Sequence, residues 1–226
     1  IQMRNTFDRF NGRHQDYQAA RPSYAQVFLD WLGELYAPPE RYTAADIGSG
    51  TGKLSAQLLA AGFRVCGVEP NPDMRGAAEA LLGGDPRFSS SNGTDHDTGL
   101  PDRSVDMVAA AQAFHWFDGP AFARECRRIL RPGGRAVLVW NVRGSAPVNQ
   151  ALAQVFREHC PSFHGFTGGM GEDDPRIRDF FGGAYEKRRF PNPLTLDRDR
   201  FLRRCFSSSY ALREGDADYE AFRAVL

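Results

Sequence analysis

The run Asp46-Ile47-Gly48-Ser49-Gly50-Thr51-Gly52-Lys53 places glycine at three alternate positions, directly after a short apolar stretch and directly before a helical pattern. It is the most restrictive segment of the chain. Only glycine enters the left-handed region at low cost, so the backbone here must turn sharply from a strand into a helix, leaving main-chain amides bare enough for a ligand to lie against them. Phe63-Arg64-Val65-Cys66-Gly67-Val68 reads as a second, buried strand that ends at Glu69. In an open α/β sheet ligands bind beyond the carboxyl ends of the strands, and a carboxylate there can accept hydrogen bonds from both hydroxyls of a ribose. Glycine turn and acid together read as a binding loop for an adenosine-containing cofactor.

The glycine spacing sorts the cofactors. A nicotinamide or flavin loop is expected as G-x-G-x-x-G, whereas the third glycine here comes one place early. A Walker loop needs a hydroxyl residue after its lysine, and Leu54 follows Lys53. A strand-to-helix turn with no ligand is the remaining reading, and the placement of Glu69 weighs against it.

Apolar runs alternate with helical patterns from about residue 40 to residue 140, the signature of βαβ units around a parallel sheet. Strands are predicted at Ala44–Ile47, Phe63–Val68, Phe88–Ser91, Val105–Ala111 and Ala136–Trp140, and a sixth at Tyr185–Phe190. Helices are predicted at Lys53–Ala61, Asp73–Leu82, Pro120–Leu130, Pro147–His159 and Arg200–Phe206. Arg131-Pro132-Gly133-Gly134 reads as a helix stop, and Pro161–Asp174 as a long glycine- and acid-rich loop. The division that follows is an arm and helix over residues 1–40, a cofactor-binding core over 41–142, and a substrate-side part over 143–226.

Charge excludes some partners. Twenty-eight Lys and Arg balance twenty-eight Asp and Glu, so no global field recruits nucleic acid or an anionic membrane. Cys66, Cys126, Cys160 and Cys205 form no C-x-x-C pair, which argues against a zinc site or a redox dithiol and for reduced thiols. No apolar run approaches the roughly 18 residues of a membrane span, and no signal-peptide pattern opens the chain. A cytoplasmic protein without bound metal, acting on a small molecule, is the expectation; oligomeric state is left open.

The succession Asp46 to Lys53, Val68-Glu69-Pro70-Asn71, Gly99-Leu100-Pro101-Asp102 with Ser104-Val105-Asp106, Ala113-Phe114-His115-Trp116-Phe117 and Leu130-Arg131-Pro132-Gly133-Gly134 resembles the class I S-adenosylmethionine-dependent methyltransferases. Phe114-His115-Trp116-Phe117-Asp118 and Arg21-Pro22-Ser23-Tyr24 are similar to a small-molecule branch, that of the trans-aconitate and ubiquinone-biosynthesis methyltransferases. The resemblance implies a doubly wound, mostly parallel Rossmann-like sheet with helices on both faces. Its seventh strand is antiparallel; with six read here, the last is expected beyond Leu226.

The resemblance also assigns roles. Glu69 would bind the ribose, with Pro70, Asn71 and Met74 toward the adenine, and Thr94 and Asp95 near its exocyclic amine. Gly48, Ser49 and Gly50 would lie against the methionine half of the cofactor. Asp46 either supports the loop or reaches the cofactor's ammonium group through water. Arg21 would pair with the methionine carboxylate and Tyr17 close over it, unless Arg21 is a surface arginine beside a helix-starting proline. Gln112 and Ala113 would end a strand next to the methyl group, with His115, Trp116, Trp140 and Asn141 on the acceptor side. His115 is read as a base or orienting group, or else as a packing histidine, and Phe114 and Phe117 as core. The implied activity is methyl transfer from S-adenosylmethionine to an organic acid, quinone precursor or natural-product intermediate, leaving S-adenosylhomocysteine; a non-catalytic cofactor-sensing module is the alternative.

Overall fold

The structure, a computed structural model, describes residues 22–166, 170–208 and 210–226. Strands β1 (Thr43–Ile47), β2 (Arg64–Val68), β3 (Phe88–Ser91), β4 (Val105–Ala111) and β5 (Leu130–Val139) form one sheet in the order β3-β2-β1-β4-β5, and every pairing is parallel. β1 and β4 are central and covered on both faces. That is why they are written in alanine, valine, isoleucine and methionine with little polar alternation.

Parity along each strand decides which layer a residue joins. Ala44, Val65, Met107 and Ala109 pack with α1 (Gln26–Leu35) and α2 (Lys53–Ala60); Ala45, Ile47, Val108 and Ala110 pack with α4 (Gly119–Ile129) and with α6 (Pro175–Phe180). α3 (Pro72–Leu82) lies against β2 and β3. A third apolar cluster joins α5 (Pro147–His159), α7 (Arg198–Phe206) and α8 (Tyr219–Val225) around Phe156 and Phe222, both wholly buried. Helix starts follow local chemistry: Asn71 accepts from the backbone N–H of Asp73 and of Met74 ahead of Pro72, and Asp118 accepts from that of Ala121.

The chain winds outward through β1, β2 and β3, then crosses back to lay β4 on the other side of β1. This reversal opens a crevice at the carboxyl ends of β1 and β4, the place where such sheets take ligands.

Three sequence expectations change. No strand forms over residues 185–190; Lys187 and Arg189 instead pair with Glu172, and Phe190 packs on Trp31 and Phe28, so side-chain partners replace a sheet ladder. The sheet therefore has five strands among the described residues, not six. Arg131–Gly134 lies within β5: Leu130 pairs with Val105 but Arg135 with Met107, so the four residues form an irregularity in the strand as well as a helix stop. A Cβ on Gly134 would sit 2.9 Å from the carbonyl oxygens of Arg131 and Asp106. Finally, Asp174 ends the predicted loop by capping α6, a helix that begins on an Asp-Pro pair. Among the described residues no helix is long and apolar enough to cross a membrane.

Candidate functional site

The glycine turn folds over the end of β2. The backbone N–H groups of Gly48 and Ser49 both donate to the Val68 carbonyl, at 2.9 and 3.1 Å. Gly48, Gly50 and Gly52 take φ of +69°, +56° and +82°, so all three glycines are required by backbone conformation. Gly48 is also required by space, because a Cβ there would lie 2.8 Å from the Ala113 Cβ. Ala113 therefore acts through its smallness, letting the loops after β1 and β4 touch.

Glu69, buried, joins the turn to the start of α3. Its Oε2 accepts from the Gly50 N–H and its Oε1 from the Asn71 N–H, each at 2.9 Å. Burial pushes its carboxyl above the ordinary value, while those two bonds and the Arg75 guanidinium pull it down. Each oxygen keeps acceptor capacity for a further donor. Met74 lies beneath the turn, its sulfur 3.8 Å from where a Gly50 Cβ would be. Arg75 donates to the carbonyl of Glu69 at 2.8 Å and to Asn92 at 3.0 Å, fixing Pro70 and the ends of β2 and β3.

Asp46 shares its carboxylate between two tasks. Oδ2 accepts from the Ser55 hydroxyl of α2 at 2.7 Å, whereas Oδ1 is buried with no hydrogen-bond partner among the described residues, and the residue lines the cleft. Burial pushes the carboxyl up to about 6; the bonds from Ser55 lower it, and the charge of Glu69 raises it. An orphaned carboxylate oxygen in a cleft calls for a donor or a cation.

Gln112 ends β4 with φ of +56° in a non-glycine residue, held by its N–H on Val139 and its side chain on the Asn141 carbonyl. Strain of this sort collects at ligand sites. Asn141, from beyond β5, donates to the carbonyls of Pro22 and Ser23 and accepts from Asn192, which also donates to Ser23. Gln57 exchanges two bonds with Tyr24. These amides fix the backbone that enters the cleft from the amino terminus; Tyr17 and Arg21 lie outside the described residues.

The cleft bounded by these groups encloses about 90 Å³, narrower than the roughly 300–1,000 Å³ usual for small-molecule sites. Asp46, Gly48, Ser49, Gly50, Gln112 and Asn141 line it; Glu69, Asn71 and Met74 hold the β2 side of the turn. His115 and Trp116 do not line it. They sit on a short helical turn, Phe114–Trp116, with rings 4.7 Å apart and Trp116 exposed. Trp140 packs edge-on against Phe114 and faces an open groove along β5 that shares Pro22, Tyr24, Asn141, Arg143 and Arg204 with the cleft. Phe114 is core. Thr94 closes a local turn with Asp97, and Asp95 accepts from the Asp118 N–H at 3.0 Å, so the loop after β3 is tied to the start of α4.

Sequence reasoning missed the far wall. Arg143, Phe166, Arg204, Ser208 and Tyr210 complete the cleft, brought there by the C-terminal helical cluster. No local motif marks them.

Residues 45–138 match the family model described as methyltransferase domain. That stretch resembles a methyltransferase domain. An uncharacterized methyltransferase of Mycobacterium tuberculosis is 42% identical over 127 residues, covering 56% of this chain and 49% of the relative. An uncharacterized methyltransferase of Schizosaccharomyces pombe is 32% identical over 147 residues, covering 64% of this chain and 57% of the relative. The chain thus spans about half the length of the relatives it matches. Among solved structures, a candidate type II methyltransferase from Anaeromyxobacter dehalogenans superposes with a TM-score of 0.61 at 28% identity, covering 91% of this chain and 88% of that one. The residues of this stretch fit S-adenosylmethionine: the glycine turn leaves little room for side chains, Glu69 keeps acceptor capacity beside it, and the buried Asp46 oxygen has no partner among the described residues.

Proposed function

We propose that the chain transfers a methyl group from S-adenosylmethionine to a small-molecule acceptor. The observation that carries the reading is Asp46 Oδ1, buried and unpartnered where the glycine turn meets the cleft, with the methyltransferase-domain match around it. The cofactor supplies an electrophilic methyl group on a sulfonium when bound. The work of the chain is then to bind, orient and exclude water, because an in-line displacement on carbon is accelerated chiefly by positioning.

Asp46 Oδ1 would take a proton-bearing cationic group, Glu69 the ribose hydroxyls, and the bare backbone of Gly48 and Gly50 would let the ligand lie close. Met74 offers an apolar surface toward the base. Gln112, held in its strained conformation, borders the cleft where β4 ends, and Tyr24 and Tyr210 narrow it. No histidine lines the cleft among the described residues; the proton-accepting groups there are Asp46, Lys53, Tyr24 and Tyr210.

Titration with S-adenosylhomocysteine tests the binding half, and release of that product from S-adenosylmethionine with an acceptor tests the transfer half. Binding of the product without any transfer would turn the reading to a sensing module. No binding would remove it.

A further inference from the structure

The glycine turn buries a second polar atom that the hydrogen bonds of the fold leave out. Thr51 is about 1% exposed and lines the cleft, and its Oγ1 has no hydrogen-bond partner among the described residues. A threonine in a turn ordinarily bonds a backbone group of that turn. Here the turn closes on backbone groups instead: the Gly52 N–H donates to the Ser49 carbonyl, and the Ala56 N–H to the Gly52 carbonyl. Nor does the hydroxyl cap α2, whose N-cap residue is Gly52 and whose start has no side-chain bond. Valine has the same shape as threonine, so packing alone gives no reason for the hydroxyl, and burying it unpaired costs stability that valine would not.

Asp46 Oδ1 is another such atom in the same cleft. The two side chains stand on opposite arms of the turn, Asp46 within β1 and Thr51 two residues before α2, with Gly48 and Gly50 between them at φ of +69° and +56°. An ionised carboxylate only accepts hydrogen bonds, whereas a hydroxyl accepts and donates. One ligand group that satisfies both atoms must carry at least two polar hydrogens. A primary ammonium carries three, together with the charge that a buried carboxylate needs. The enclosed space of about 90 Å³ suits a compact head group of this kind.

We infer that Thr51 is a ligand-binding residue of the cleft: its hydroxyl accepts from the primary ammonium that pairs with Asp46 Oδ1, so that the turn reads the amino-acid end of its ligand with one charged and one neutral side chain. The inference deepens the methyltransferase reading and rests on it. It makes Thr51 a specificity-determining residue, one that separates the whole cofactor from nucleoside fragments without the amine. The empty chain gives up some stability to keep it, because the hydroxyl finds its partner only in the complex.

The test is calorimetry on the full chain with S-adenosylhomocysteine and with 5′-methylthioadenosine, which has the nucleoside and the sulfur but no amino-acid end, for wild type, Thr51→Val and Thr51→Ser. Thr51→Val is expected to lose about tenfold or more in affinity for S-adenosylhomocysteine, the size of a hydrogen bond to a charged group, and to bind methylthioadenosine within about twofold of wild type. Thr51→Ser should keep both affinities within about threefold. The empty Thr51→Val chain should melt at or above the wild-type temperature. Should valine not be accommodated, Thr51→Ala makes the same comparison of ligands. A hydroxyl-free variant that binds S-adenosylhomocysteine as wild type does, or that loses both ligands equally, would overturn the inference. So would a wild-type chain that binds methylthioadenosine as tightly as S-adenosylhomocysteine. Failure of the wild-type chain to bind either ligand is a different result and strikes the methyltransferase reading instead.

Discussion

Replacing Asp46 by asparagine separates the cost of burying a carboxylate from its use. The side chain is about 1% exposed, one oxygen is held by Ser55 and the other has no partner among the described residues. Burial, with a smaller contribution from Glu69 and against the bonds from Ser55, holds the carboxyl at about 6 where an ordinary aspartate lies at 3.8. Between those values the native state keeps a proton that the unfolded chain has released. Stability from this group is therefore greatest below the unfolded value and falls as pH rises through the folded one. At about 1.4 kcal/mol per unit of pKa the fall amounts to about 3 kcal/mol.

Asparagine cannot ionise. Its carbonyl can still accept from Ser55, and its amide puts a buried donor at the orphaned position, a penalty of about 1–3 kcal/mol that does not vary with pH. Urea unfolding of both proteins at about pH 4 and about pH 8 should show Asp46→Asn gaining on wild type by about 2–3 kcal/mol across that interval. With S-adenosylhomocysteine present the order should reverse at the higher pH, because the ligand's ammonium pairs with wild-type Oδ1 alone. Parallel stability curves for the two proteins would show that Asp46 does not carry its charge at this cost, and the electrostatic argument for the site would fall with it.

Glu69→Gln replaces an acceptor that serves both Gly50 and Asn71 with a group that serves one and opposes the other; calorimetry should show S-adenosylhomocysteine affinity reduced about tenfold or more, and melting a loss of about 1–3 kcal/mol. Gly48→Ala adds a methyl 2.8 Å from the Ala113 Cβ at φ of +69°; left-handed strain of about 1–2 kcal/mol and crowding of about 1–3 kcal/mol should lower stability on denaturant titration. Glu125 is buried and bonded to Thr98 and Arg128; burial alone would raise its carboxyl, but Arg128 and Thr98 hold it down at about 2. Its contribution is present above the unfolded value and lost as pH falls toward the folded one, so Glu125→Gln should cost about 2–3 kcal/mol near pH 7, the gap to wild type narrowing in acid melts. His115 stands away from the cleft lining, so His115→Gln should keep turnover within about threefold and leave the pH profile unmoved.

What could be read from the sequence was whatever depends on residues close together in the chain. The spacing of Gly48, Gly50 and Gly52 dictated a left-handed turn, because no other residue type adopts those dihedrals cheaply. The apolar runs of β1, β2 and β4 identified inner parallel strands, and Glu69 fell at a strand end as expected. Residues 185–190 show where this stops: they read as a strand, yet Glu172 and the rings of α1 claim their side chains. Pairing partners are supplied by the fold, and periodicity does not name them.

The candidate site divides along the same line. The half built on β1 and β2 is written in one continuous segment, so its glycines and acids could be recognised by spacing. The opposite wall joins Arg143, Phe166, Arg204 and Tyr210, separated by long stretches of chain and gathered only when α5, α7 and α8 bury Phe156 and Phe222. Sequence alone settled that this chain makes a glycine-turned, acid-clamped loop on a parallel sheet. Tertiary packing decided what faces that loop, withdrawing His115 and Trp116 and supplying two arginines, because proximity across a cleft comes from burial of distant apolar surfaces and leaves no local pattern.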